Sequence, residues 1–154
     1  MDKRLPTRGQ LERELSQNIR KLYRQELAHS PRKVTCTLFN NQLTVIIDGA
    51  ITAIEKTIID GDNGAEIVKC INSVISKMLK QNLKAIVEEI LAVEVEDVLL
   101  DSAFKTERTG VLVTLIQSPK TRNSRFTQIK RNREENGFNS GIEPIQNEDY
   151  SNLS

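Results

Sequence analysis

From Gln10 to Ala28 the apolar residues Leu11, Leu15, Ile19, Leu22, Tyr23 and Leu27 recur at spacings of three and four, with charges between them. That spacing predicts an amphipathic helix. Ser30-Pro31 should end it, because proline disfavours helical geometry at the residue before it and donates no hydrogen bond. The period then changes. Lys33 to Phe39 and Gln42 to Asp48 are rich in Val, Ile, Thr and Phe and are separated by Asn40-Asn41, which predicts a β-hairpin with a tight turn. Val34, Cys36 and Leu38 would share one face, and Leu43, Val45 and Ile47 the matching face of the partner strand. The second strand is the more apolar and should be the more central.

Gly49 breaks this strand, and Thr52-Ala53-Ile54-Glu55 has the spacing of a capping box, which predicts a short helix from Ala53 to about Ile59. Gly61-Asp62-Asn63-Gly64 punctuates the chain, and Asn63 with Glu66 repeats the start signal. The helix that follows should be long, since Ala65 to Leu91 holds no proline. Ile67, Ile71, Val74, Ile75, Met78, Ile86 and Ile90 keep a helical period, and Leu79, Leu83 and Val87 widen the stripe. A stripe that wide suits a helix lying on a sheet or also touching a partner subunit. Val93 to Leu100 and Val111 to Ile116 read as two further strands, joined by a long polar loop, Asp101 to Gly110.

These elements predict a two-layer α+β fold: a four-stranded antiparallel sheet from two β-hairpins, covered by the long helix, with the N-terminal helix packed nearby. Residues 1–9 are expected to be a flexible N-terminus, 10–118 a single domain, and 119–154 a disordered polar tail. The tail has few large apolar residues and no periodicity, so burial there cannot offset the entropy of ordering. The two apolar helix stripes suggest a homodimer.

With 154 residues and 38% hydrophobic content, one core is sufficient. The formal net charge of +1 provides no global field that would drive indiscriminate binding to nucleic acid or anionic lipid. Charge is instead segregated in the tail, where Lys120, Arg122, Arg125, Lys130, Arg131 and Arg133 precede a run of acidic residues. Arg122, Arg125, Lys130, Arg131 and Arg133 are the candidate partner-binding residues, for a protein or lipid surface or for nucleic acid. A basic face on the first helix, Arg13, Arg20, Lys21 and Arg24, could join them in a nucleic-acid-binding or transcription-linked regulator. Phe126 is the one aromatic near the basic segment, thin support for base stacking.

Catalytic constellations are not legible. His29, the sole histidine, sits beside Ser30-Pro31 and reads as a solvent-facing helix-end residue whose cationic form suits the helix dipole. Glu88 and Glu89 point about 100° apart on a helix and form no dyad. Gly61-Asp62-Asn63-Gly64 lacks the lysine and glycine spacing of a phosphate loop. Cys36 and Cys70 are too far apart for a metal pair and read as buried apolar side chains in a reducing cytoplasm. No enzyme activity, cofactor or metal is therefore expected. The apolar runs fall far short of the ~20 residues that span a bilayer, and the N-terminus lacks the pattern of a signal peptide.

One larger pattern emerges from the middle of the chain: Gly49-Ala50-Ile51-Thr52-Ala53-Ile54-Glu55-Lys56 after an apolar strand, a long helix, then Val95-Glu96-Asp97-Val98, Asp101-Ser102 and a closing strand. From about Leu11 to Gln117 the chain resembles the MpsC-like family, proteins named for a Na+-translocating, membrane-potential-generating system. Gly49, Thr52, Glu55 and Asp101 carry the resemblance as structural motif residues, although Ala53 stands where proline often follows the threonine. The resemblance implies a cytoplasmic accessory protein, peripheral to the membrane, of a sodium- or inorganic-carbon-linked transport system. Its implied partner is an integral membrane protein.

Overall fold

The computed structural model describes residues 4–122. In chain order the elements are α1 (Arg8–Leu27), β1 (Lys33–Phe39), β2 (Gln42–Asp48), α2 (Ala53–Ile59), α3 (Gly64–Leu91), β3 (Val95–Ala103) and β4 (Arg108–Leu115). The expected α+β class holds. The strands form one antiparallel sheet in the order β1-β2-β4-β3, so two hairpins lie side by side and β2 is central, as its apolar content predicts.

Register settles which residues share the core. Val34, Cys36 and Leu38 pair with Ile47, Val45 and Leu43, and Leu43 and Val45 pair in turn with Val113 and Val111. These side chains, with Val95 and Leu115, make one buried sheet face. α1 covers it with Leu11, Leu15, Ile19, Leu22 and Tyr23, and α3 with Leu79, Leu83, Val87 and Leu91, in a single apolar cluster. Among the described residues no helix covers the opposite sheet face, where Thr35, Thr44, Ile46, Leu99 and Leu112 are exposed.

The two edges differ. On β1, Glu12 of α1 accepts a hydrogen bond from Leu38 N–H at 2.9 Å. On β3 the register shifts between Val95 and Asp97, leaving Glu96 as a bulge.

Several local expectations need correction. α1 starts at Arg8 rather than Gln10, because Thr7 and Gln10 form a reciprocal capping box. It ends before Ser30-Pro31, at Ala28 in the left-handed conformation (φ 47), a common helix stop that satisfies a terminal carbonyl. The α3 start signal fails: Asn63 is itself left-handed (φ 58) and makes no side-chain cap. The long loop from Asp101 to Gly110 is mostly strand, since Asp101, Ser102 and Ala103 pair with Gly110, Thr109 and Arg108. Only Phe104 to Glu107 remains as the turn.

The largest correction concerns α3. Leu79, Leu83, Val87 and Leu91 are its core face, while Ile67 and Val74, read as part of the spine, are 45% and 70% exposed. Cys36, on β1, is buried as expected, but Cys70, on α3, is exposed rather than buried. Of the expected tail, residues 123–154 lie outside the described residues, and Arg125, Lys130, Arg131 and Arg133 with them.

Candidate functional site

Three of the four motif residues converge at one end of the sheet. β2 leaves the sheet at Gly49, whose φ of 68 is the left-handed region that favours glycine. A Cβ there would stand 3.0 Å from Arg32 Cγ and 3.1 Å from Arg32 N. Space and conformation thus select the same residue. His29 bonds the Gly49 carbonyl through Nε2 at 2.6 Å; a carbonyl only accepts, so Nε2 carries the proton. His29 is therefore half-buried and engaged, not the solvent-facing residue expected from the sequence. Its ring lies 6.5 Å from that of Tyr23.

Thr52 then caps α2. Its hydroxyl accepts from Glu55 N at 3.3 Å, while Thr52 N and Thr52 Oγ1 both donate to Glu55 Oε2, at 2.8 and 2.7 Å. Glu55 is only 3% exposed. A carboxylate so deeply set is held by these donors, since an unpaired one would ionise at great cost. Tyr23 and Thr109 are buried beside it, and Thr109 Oγ1 lies 2.8 Å from Ser102 Oγ. Burial pushes the Tyr23 phenol well above its ordinary range; the Thr109 hydroxyl opposes that shift and the charge of Glu55 adds to it.

Around this polar plug runs a ring of ion pairs that the sequence did not announce. Glu107, in the β3–β4 turn, pairs with Arg32 at 3.1 Å and with Lys56 of α2. Its backbone carbonyl accepts from Ala50 N at 2.9 Å. Arg108 donates to Asp48 at 2.7 Å, and Arg32 N donates to Asp48 O at 2.9 Å. Lys56 foremost, then Arg32, holds the Glu107 carboxyl below its ordinary range. The partners stand up to 75 residues apart in the chain, so only the β2–β4 pairing, which spacing cannot reveal, brings them together.

Asp101, the fourth motif residue, lies apart from these contacts. It is exposed on the edge strand opposite Gly110 and accepts from its neighbour Ser102 N at 2.9 Å. Of the candidate partner-binding residues only Arg122 falls in the described part, exposed. On α1, Lys21 and Arg24 border a surface depression with Gln25, whereas Arg20 is committed to the Arg32 carbonyl at 3.2 Å.

The arrangement suits mechanical fixation. Its charges neutralise one another, its imidazole bonds backbone through Nε2, and its buried carboxylate serves a helix cap. Among the described residues no group of three or more His, Cys, Asp or Glu is placed to hold a metal ion. What it fixes is the position of α2, and with it the start of α3, relative to the sheet.

The sequence model of one family, described as Na+-translocating membrane potential-generating system (MpsC), matches residues 7–117. That span runs from the cap of α1 to just beyond β4 and takes in the whole polar cluster. Among curated proteins and among solved structures, nothing matches this chain.

Proposed function

The chain belongs to the MpsC family, and from that premise we propose that it serves a sodium- or bicarbonate-linked membrane system as a non-catalytic accessory or regulatory protein on the cytoplasmic side. The observation that carries this reading is the character of its longest helix. No helix among the described residues is long and apolar enough to cross a membrane. α3 has the length, 28 residues, but Glu66, Lys69, Lys77, Lys80, Lys84, Glu88 and Glu89 distribute charge around it. Charges at that density are excluded from hydrocarbon. The family description ties the chain to Na+ translocation, and an accessory role reconciles that with a helix unable to line the path.

The test is affinity capture of tagged full-length protein from gently solubilised cells, with bound proteins and nucleic acids both identified. Recovery of an integral membrane transport protein is the expected result. Repeated recovery of the protein alone from solubilised membranes would overturn the reading, and salt-sensitive recovery of nucleic acid would replace it with the regulator.

A further inference from the structure

The sheet face turned away from the helices is neither apolar throughout nor evenly charged. Two rungs cross its middle: Ile46, Gly110 and Asp101 stand side by side in one, and Thr44, Leu112 and Leu99 in the next. A Cβ at Gly110 would meet only Ile46 Cδ1, at 3.9 Å, so the glycine leaves a notch between Ile46 and Asp101 that an incoming side chain can enter. Leu99 borders the same depression and is 60% exposed, a large apolar side chain that its own fold leaves in water.

Charge on this face is one-sided. Strand alternation puts Asp97, Leu99 and Asp101 of β3 on the same side, and Glu94 and Glu96 add exposed carboxylates to the same border. Among the described residues none of these carboxylates is in an ion pair. The nearby cations are fewer. Arg108 is bound to Asp48, Lys33 stands at the far border on β1, and Lys80 of α3 borders the depression. The β3 side therefore sets a net negative border beside an apolar floor.

We propose that this half of the face, β4 with β3, docks a Lys- and Arg-bearing amphipathic segment of an integral membrane protein. The inference rests on the accessory reading above for the source of the partner, and on the surface for its chemistry. Cytoplasmic segments next to membrane spans carry an excess of Lys and Arg, the charge that complements the β3 border. The same border repels phosphate, so neither nucleic acid nor an anionic lipid surface suits this face. An amphipathic helix laid along the strands sets apolar side chains over Leu99 and Leu112 and one into the Gly110 notch. Asp97 and Asp101, four residues apart on a strand, are separated by about 13 Å. Two cations two turns apart on the helix, about 10.5 Å, span that gap with their flexible stems.

The probe is a labelled synthetic peptide with leucines at helical spacing and lysines two turns apart, titrated with full-length protein by fluorescence anisotropy. Saturable binding that weakens as salt rises is expected. Leu99→Asp and Asp97→Lys/Asp101→Lys should each weaken it severalfold with unchanged far-ultraviolet spectra, since these side chains are exposed. The Asp97→Lys/Asp101→Lys protein should instead take a peptide whose lysines are replaced by glutamates. Absence of binding, equal binding of both peptides by wild type, or indifference to the variants overturns the surface. Affinity capture from solubilised cells separates this from the reading beneath it. A membrane protein recovered by wild type and lost with Asp97→Lys/Asp101→Lys upholds both. One retained by that variant overturns the surface alone, and none recovered by wild type overturns the accessory reading and the source of the partner with it.

Discussion

Glu107 shows how much one side chain can organise. It adopts a left-handed backbone (φ 57), receives Arg32 and Lys56, and lends its carbonyl to Ala50. Because both cations favour its ionised form, its folded pKa lies below the ordinary 4.5. The unfolded chain therefore takes up the proton first, and the stability due to this contact is present above pH 4.5 and lost as pH falls through the lower folded value. Acid denaturation followed by circular dichroism should be shallower for Glu107→Gln than for wild type below pH 4.5, with the two curves running parallel near neutrality. Gly49 makes a different demand. Gly49→Ala meets both a positive φ and the Arg32 backbone at 3.1 Å, and should cost about 1–3 kcal/mol by urea titration. Thr52 and Glu55 are legible as a capping box in the sequence itself, since their chemistry is local. His29, Tyr23 and Glu107 were not, because their partners come from distant strands.

At the scale of elements, helices and strands were recovered where a single periodicity dominated, and misjudged where two overlapped. α3 carries a buried stripe through Leu79, Leu83, Val87 and Leu91 and, apart from it, exposed apolar residues such as Ile67 and Val74, and a sequence reading merges them into one wide face. The distinction is measurable. Leu83→Ala removes a fully buried side chain from the main cluster and should cost about 2–5 kcal/mol. Val74→Ala should change stability by less than about 0.5 kcal/mol in a monomeric preparation. The Asp101 to Gly110 stretch failed for another reason: its first residues, Asp101 to Ala103, lie on the edge strand β3 and its last, Arg108 to Gly110, open β4, and polar side chains at such strand ends look like loop. Gly64 marks a further local constraint, since a Cβ there would sit 2.0 Å from the Ile58 carbonyl oxygen. α2 and α3 can therefore meet this closely only through glycine.

For the molecule as a whole, class and number of strands followed from the hydrophobic pattern, but strand order did not. β2 pairing with β4 depends on how the two hairpins dock, which no local spacing encodes. The polar cluster inherits that limit: its Gly49, Thr52 and Glu55 stood out in the sequence, and the ion pairs closing around them became visible only once β2 and β4 were neighbours. The match over residues 7–117 supplies the biological setting that the geometry of the cluster, being internally neutralised, leaves open.

The carboxylate of Glu12 on the Leu38 amide has a bearing on what happens when many copies crowd together. An outer strand with free amides invites a stranger's strand to dock and begin a growing ribbon. Here the first helix reaches over and occupies one of those amides at 2.9 Å, while the bulge at Glu96 kinks the other border of the sheet. Both borders are thereby poorer templates for a stranger's strand, which disfavours strand-by-strand growth between crowded copies.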